Sequence, residues 1–325
     1  MGGAQDGRDG TALVTGGAGF IGSAIARALV AEGRAVRVFD NFQTGFEENL
    51  PEGATVMRGD LRDLDAVREA CQGVDVVFHQ GAVRSVPRSV DEPLLVDQCN
   101  VGGTLNVLVA AEEAEVRRLV YASSSSVYGD STEPVNREDQ PTDPQSPYAV
   151  SKLAGEQYCR VWARVKGLST VSLRYFNVFG PGQHPESKYA AVFPAFIKAL
   201  SEGAAPEVHW DGEQSRDFSY IDDVVRANLA AAAAPAEGPA EGNVMNVGGG
   251  RPKTVNEVLR AVADAMGTWI DPVWTPKRAG DVRHTRADIT RARELLGWEP
   301  QADWTEAVKA TVGWFQEAGP NGGRR

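Results

Sequence analysis

The chain has 325 residues, 42% of them hydrophobic and 24% charged, enough for one large or two smaller globular domains with a sizeable core. Its 44 acidic against 33 basic residues give a net charge of −11, which argues against partnership with nucleic acid or an anionic membrane but leaves room for a local basic pocket that takes a diphosphate. Cys71, Cys99 and Cys159 are too widely spaced, and odd in number, for a disulfide framework or a zinc site. They point to buried thiols in a reducing cytoplasm. The polar, Gly-rich start has no apolar signal core, and no run reaches 18 apolar residues, so no membrane segment is expected.

Residues 11–15, TALVT, form an apolar run followed by GGAGFIG at 16–22, a helical stretch to Gly33, and a second apolar run, AVRVFD, at 35–40. That order is strand, glycine turn, helix, strand. The spacing of Gly16, Gly19 and Gly22 has a physical logic: one glycine turns tightly, one admits a pyrophosphate against the backbone, and one lets helix and strand pack closely. The helix N-terminus then offers free N–H groups and a partial positive charge to the anion. Asp40 ends the second strand, where a carboxylate accepts hydrogen bonds from an adenosine ribose diol. Asn41 and Phe42 follow, with no Arg to receive a 2′-phosphate, which favours NAD over NADP.

The alternation continues: strands at 55–60, 74–82, 117–126 and 168–177, with helices over LDAVREACQG, about 93–115 and about 146–166. The pattern predicts an α/β fold with a Rossmann-type, doubly wound parallel sheet and a smaller C-terminal α/β lobe that binds substrate. Ligands of such sheets lie beyond the carboxyl ends of the strands, and Asp40, Asp60, Gln80 to Ala82, Ser124 and Tyr175 to Asn177 all fall at strand ends. Beyond Asn177 come a Gly/Pro-rich loop, a helix in AVFPAFIKALSEG, a mixed segment, and helices at 223–236, 254–267 and 289–298; the stretch 223–247 is expected to return to the first sheet. The expected division is a dinucleotide domain of 10–176 with 218–248, a substrate domain of 177–217 with 249–315, and loose tails at 1–9 and 316–325.

Ser124 in YASSSSVYG, and Tyr148 and Lys152 in PYAVSK, are the candidate catalytic groups. Positions four apart share a helix face. A phenol titrates near about 10, and a lysine ammonium one turn away stabilises the phenolate. Such a base takes a hydroxyl proton while hydride leaves the same carbon. His79 and His284 have no partners at metal-ligand spacing and are expected to be structural; no metal is expected.

With these residues in view, TGGAGFIG, DNF, GDLRD, YASSSSVYG, YAVSK, LRYFNVFGP, SRDFSYIDD and GDVRHT together resemble the extended short-chain dehydrogenase/reductase family over nearly all of 11–315, and within it the nucleotide-sugar 4-epimerases. The resemblance implies a UDP-sugar substrate, tightly held NAD and a homodimer formed through the helices near Asn100 and Tyr148. It implies NAD contacts from Gly16, Gly19, Phe20, Ile21, Gly22, Asp40, Asn41, Asp60, Leu61, Gln80, Ala82, Asn100, Tyr148, Lys152 and Tyr175. For the nucleotide and diphosphate it implies Asn177, Val192, Arg216, Arg278 and Asp281, and for the sugar pocket Arg84, Ser85, Ser124, Ser125, Ser126, Tyr148, Asn177, Ala191 and Thr285. Dehydratases and decarboxylases of the family carry carboxylates just after the catalytic Ser or Thr. Ser125 and Ser126 stand there in this chain, which leaves hydride out and hydride back.

The sugar stays open at this point. UDP-glucose and UDP-galactose, with or without an N-acetyl group, are the first expectation. UDP-glucuronate is the alternative, because Arg84, where N-acetylglucosamine-type relatives have Gly, matches a C6 carboxylate; His184, where uronic acid epimerases tend to carry Arg, argues against it. An inactive NAD-binding sensor or subunit is the reading of another class, and such proteins typically lose the Tyr or Lys. Net oxidation to a keto sugar is a third.

Overall fold

The computed structural model describes residues 10–131, 133–184, 192–235, 238, 242–277 and 283–318. Six apolar runs become strands in chain order: β1 Thr11–Thr15, β2 Val36–Asp40, β3 Thr55–Arg58, β4 Val74–His79, β5 Arg118–Ser124 and β6 Thr170–Tyr175. A seventh strand, Asn243–Val247, pairs with β6, so the order across the sheet is Asn243–Val247, β6, β5, β4, β1, β2, β3. Every neighbouring pair is parallel. The return of this late strand to the first sheet is as expected. The direction of winding reverses between β1 and β4, the crevice where a doubly wound sheet takes its ligand.

Helices cover both faces because the strands are apolar on both sides. On one face α1 (Phe20–Ala31) sits with a much later helix over Ala12, Val14, Val38, Phe78 and Val120. On the other, α2 (Leu64–Cys71) and the helices after β4 cover Leu13, Phe39, Val77 and Leu119. Burying one such Leu or Val side chain contributes about 1.5–3 kcal/mol.

The helical region expected at about 93–115 is more divided than its periodicity implied. A short α3, Val86–Asp91, precedes it, capped by the Ser85 hydroxyl, and Pro93 opens α4, Pro93–Asp97. A π-helical turn, Gln98–Gly102, then leads into α5, Gly103–Glu113. Among the described residues Pro93–Glu113 is the one stretch long and apolar enough to cross a membrane, with half of its apolar window buried. Val107, Leu108, Ala110 and Ala111 of that stretch lie in the core against the sheet. Strand β5 stops at Ser124, not at 126, because the Ser124 hydroxyl accepts the Ser126 N–H and turns the chain into a 3₁₀ turn, Ser125–Tyr128.

Helix α6, Pro147–Lys166, starts on a Ser146 cap with proline in its first turn and ends at Gly167, φ +73°. After β6 the chain builds α7 (Val192–Ser201), α8 (Ile221–Ala233), α9 (Val255–Met266), α10 (Thr290–Leu296) and α11 (Trp304–Ala318). Helix α8 is the late helix on the first face, through Val224, Ala227 and Ala231. Helices α7, α9 and α11 enclose a separate core of Phe193, Phe196, Val258, Val262, Val308 and Phe315. Two segments lie across the expected division. Ala292 and Trp298, with Ile289 and Leu295, pack on the sheet core, and Phe218 packs with the second core, at 5.5 Å from the Phe193 ring.

Candidate active site

The glycine turn is built for close approach. Gly16 has φ +65°, and a Cβ there would lie 2.6 Å from the backbone of Gly81. Gly16 follows β1 and Gly81 follows β4, so two glycines meet where the winding reverses. A Cβ on Gly22 would strike the Gly16 carbonyl at 2.2 Å, whereas one on Gly19 would meet only that carbonyl, at 3.2 Å. No side chain caps α1 at Gly19, which leaves the first-turn N–H groups, those of Phe20, Ile21 and Gly22 among them, available to an anion.

A cleft opens from this turn. It is lined by Gly16, Gly19, Asp40, Asn41, Asp60, Leu61, Gln80, Ala82, Arg84 and Ser85, ten residues that sequence analysis assigned to cofactor or sugar. The Asp40 carboxylate is held by the Ala18 N–H at 3.0 Å and the Phe42 N–H at 2.8 Å. It stays at the cleft wall with lone pairs to spare. Asn41 donates to Asp60 at 3.1 Å, and Arg62 grips Asp60 through two nitrogens at 2.8 Å, which holds that carboxyl far below its ordinary range. A larger cavity lies elsewhere, between Arg251, Lys253 and Trp304, away from these groups.

The three candidate catalytic residues come together near the end of β5. Ser124 and Tyr148 lie close to each other, and both are partly buried. Burial pushes the Tyr148 phenol up; the Ser124 hydroxyl and the charge of Arg84 oppose that rise. Lys152 is 4% exposed, and its ammonium donates to the Ala122 carbonyl at 2.8 Å. Burial lowers its pKa to about 8, with Cys159 and Glu156 opposing. The backbone carbonyl of Ala122 holds the Lys152 ammonium, one turn along α6 from Tyr148.

The rest of the expected set falls as follows. Asn100, on the π-turn, accepts the Val83 N–H at 2.8 Å and donates to the Val83 carbonyl at 3.0 Å. Tyr175 is buried, with Gln80 at 3.2 Å and Asn228 at 3.0 Å. Asn177 is exposed at φ +23° and donates to the Asp217 carbonyl; the Thr285 hydroxyl accepts the Asp217 N–H. Arg216 donates to the Ser215 carbonyl, and Val192 opens α7. Ser126 Oγ is buried without a hydrogen-bond partner among the described residues. Ala191, Arg278 and Asp281 lie outside the described residues. His79 bridges the Thr15 and Thr104 hydroxyls at 2.7 and 3.0 Å, and burial drops its pKa to about 3, so it is a neutral structural group. His284 pairs with the Ser215 hydroxyl at 2.8 Å. His184 lies between the Phe46 and Trp314 rings, at 4.6 and 5.5 Å.

Several supporting residues were missed. Asn228 completes the Tyr175 bond from α8; a polar residue on the buried face of an alanine-rich helix was the available signal. Asp217 gathers the N–H groups of Gly250 and Ala287, and burial raises its pKa to about 6. Beneath Ser124, Ser123 donates to Glu156 at 2.5 Å, and Arg174 grips Glu156 bidentately at 2.8 and 2.7 Å.

A parallel doubly wound sheet with an uncapped glycine turn and a strand-end carboxylate marks a protein of the dinucleotide-binding class. The chain belongs to the NAD dependent epimerase/dehydratase family, whose profile matches residues 12–248. It is 39% identical over 311 residues to a UDP-glucose 4-epimerase of Mycolicibacterium smegmatis, covering 94% of this chain and 98% of that one. A UDP-N-acetylglucosamine 4-epimerase from Methanobrevibacter ruminantium, solved with UDP-N-acetylmuramic acid, superposes with TM-score 0.90 at 37% identity, covering 96% and 99% of the two chains. A UDP-glucuronic acid 4-epimerase from Bacillus cereus, solved with UDP-glucuronic acid and NAD, superposes at 0.87 with 29% identity, over 95% and 100%.

Proposed function

We propose that the chain is a UDP-sugar 4-epimerase that inverts C4 of a UDP-hexose through a 4-keto sugar, with NAD bound throughout. One observation carries this: Ser124 ends β5 close to Tyr148, and the two residues that follow it, Ser125 and Ser126, carry hydroxyls. Elimination and decarboxylation would need a carboxylate there. The cleft fits NAD on three counts: the close Gly16–Gly81 approach, the uncapped α1 terminus and Asp40 at the wall. When bound, NAD supplies a hydride acceptor and donor at C4.

In this reading Tyr148 takes the C4 hydroxyl proton as the carbonyl forms, and Ser124 hydrogen-bonds the same oxygen. Lys152, fixed on Ala122, orients a ribose hydroxyl of the cofactor. The reverse transfer to the other face returns the same proton and hydride, so no net redox occurs. Asn177, Val192, Arg216 and Thr285, with Ala191, Arg278 and Asp281, are assigned to the nucleotide and the sugar. The two lobes meet near residues 177 and 217, the first holding NAD and the second UDP. Neutral UDP-hexoses are the favoured substrates. UDP-glucuronate is the second reading, supported by the guanidinium of Arg84 on the cleft wall; engagement of His184 with Phe46 and Trp314 weighs against it.

A homodimer is supported by exposed apolar side chains on the helices concerned: Val90 and Leu94 on α3 and α4, and Val150, Val161 and Val165 on α6. Three unpaired, buried cysteines support a reducing, cytoplasmic setting.

The test is a panel of UDP-glucose, UDP-N-acetylglucosamine and UDP-glucuronate followed by product NMR. The purified protein should invert C4 without added NAD and release nicotinamide on denaturation. Tyr148→Phe should keep the nicotinamide and lose about a thousandfold in kcat. Bound nicotinamide with no turnover of any UDP-sugar would favour the sensor reading, and accumulation of NADH would favour net oxidation.

A further inference from the structure

Gln80 follows β4 and lines the cleft with Gly16 and Asp40. Its side chain meets the hydroxyl of Tyr175, the last residue of β6, and Asn228, a fully buried residue of α8. Gln80 Nε2 is 3.2 Å from both the Tyr175 hydroxyl and Asn228 Oδ1. The Tyr175 hydroxyl is 3.0 Å from Asn228 Oδ1 and 3.3 Å from Gln80 Oε1. A hydroxyl carries one proton, and each end of an amide is either donor or acceptor, so these contacts cannot all be hydrogen bonds at once.

Asn228 decides which of them are. Its amide nitrogen donates to the Val224 carbonyl, one turn back on α8, at 2.8 Å. A backbone carbonyl only accepts, so the end of Asn228 that faces Val224 is the nitrogen, and the end that faces Tyr175 and Gln80 is the oxygen. That oxygen only accepts as well. The single Tyr175 proton therefore goes to Asn228, and burial keeps the phenol protonated. One N–H of Gln80 then goes to Asn228 and the other to the Tyr175 oxygen. With the Tyr175 proton spent on Asn228, no described side chain is left to donate to Gln80 Oε1. Without Asn228 the amide would be free to turn over: Tyr175 would donate to Oε1, and Gln80 would offer N–H to the cleft instead.

We propose that Asn228 is a positioning residue for the cofactor: by fixing the direction of the hydrogen bonds through Tyr175 and Gln80, it reserves the Gln80 amide oxygen as the acceptor for a proton donor of NAD, a ribose hydroxyl or the carboxamide N–H. It rests on this cleft being the NAD site, and not on which sugar is turned over.

The experiment follows exchange of the bound cofactor. Purified holoenzyme is mixed with excess isotopically labelled NAD, and the label it takes up is read by mass spectrometry after denaturation. Gln80→Leu should release NAD about tenfold faster than the wild type, the worth of one hydrogen bond, and Asn228→Leu should do nearly the same. The double variant should match Gln80→Leu within about twofold, because Asn228 acts through Gln80. Asn228→Asp should stay near the wild type: burial keeps the acid protonated, its O–H takes the Val224 carbonyl, and its own carbonyl still receives Gln80. With the acetylpyridine analogue of NAD loaded instead, the Gln80→Leu effect should persist for a ribose hydroxyl donor and vanish for the carboxamide. Unchanged exchange in Gln80→Leu overturns the proposal. So does an Asn228→Leu effect that multiplies with that of Gln80→Leu, which would make Asn228 merely structural. If Asn228→Leu fails to fold, exchange in Asn228→Asp as fast as in Gln80→Leu is the result that overturns it. Exchange needs no turnover: if no UDP-sugar reacts, the proposed function fails while the exchange rates still decide the role of Asn228. A protein that neither carries NAD nor takes it up overturns both.

Discussion

The floor of the site and its mouth are built differently. In the floor, Glu156 receives Ser123 and both forks of Arg174, and the Arg174 guanidinium lies 4.7 Å from the centre of the Tyr128 ring. His79 is bonded on both ring nitrogens, and Tyr128 donates to Asn246 at 2.6 Å. At the mouth, Ser126 Oγ has no partner among the described residues, Arg84 faces open space, and Asn177 is exposed in a left-handed backbone conformation. Order is supplied from below, so polar groups above can be left for a ligand. A sugar that must present both faces to one hydride position needs such a mouth. A base that must not move needs such a floor.

Breaking the floor should have the largest effect on stability. Glu156→Gln leaves the buried Arg174 charge without its partner, and loss of about 3–5 kcal/mol is expected in denaturant unfolding; a cost below about 1 kcal/mol would erase the contrast. His79 gives the next effect. Its pKa is about 3 in the folded chain against about 6.5 unfolded. Folding therefore keeps this contribution in full above about pH 6.5 and loses it as the pH falls towards the folded value, by at most about 1.4 kcal/mol per pH unit. Unfolding midpoints measured across that window should show the slope in the wild type and a flatter one in His79→Asn. The mouth should give the smallest change: Ser126→Ala should leave stability within about 0.5 kcal/mol and raise KM for the UDP-sugar several-fold. A destabilised Ser126→Ala protein would mean that the mouth too is structural.

Much of the floor was invisible in the sequence because its bonds are long-range. The motif around Gly16 to Asp40 is local, so turn, helix and strand could be placed from spacing alone, and the cleft assembles around those residues. The YAVSK helix was legible for the same reason. Nothing local to Glu156 announces Arg174, and nothing in the alanine-rich stretch of α8 names Tyr175 as the partner of Asn228. Periodicity merged α4, the π-turn and α5 into one helix, since a single inserted residue per turn leaves the apolar pattern nearly intact. The same periodicity could set Tyr148 and Lys152 on one face, but not that the ammonium would turn to the Ala122 carbonyl.

The seventh strand has a consequence for how the chain reaches this form. Asn243 pairs with Val171, so the sheet edge at β6 is covered by a segment synthesised long after it, and α8, which roofs Val171 and Leu173, also arrives late. Until then a ribosome-bound chain presents β6 as a bare edge, the kind of surface that recruits a neighbouring chain. The dinucleotide half is thus contiguous in space but not in time. Such a topology folds slowly for its size and has no shorter version that ends at Tyr175.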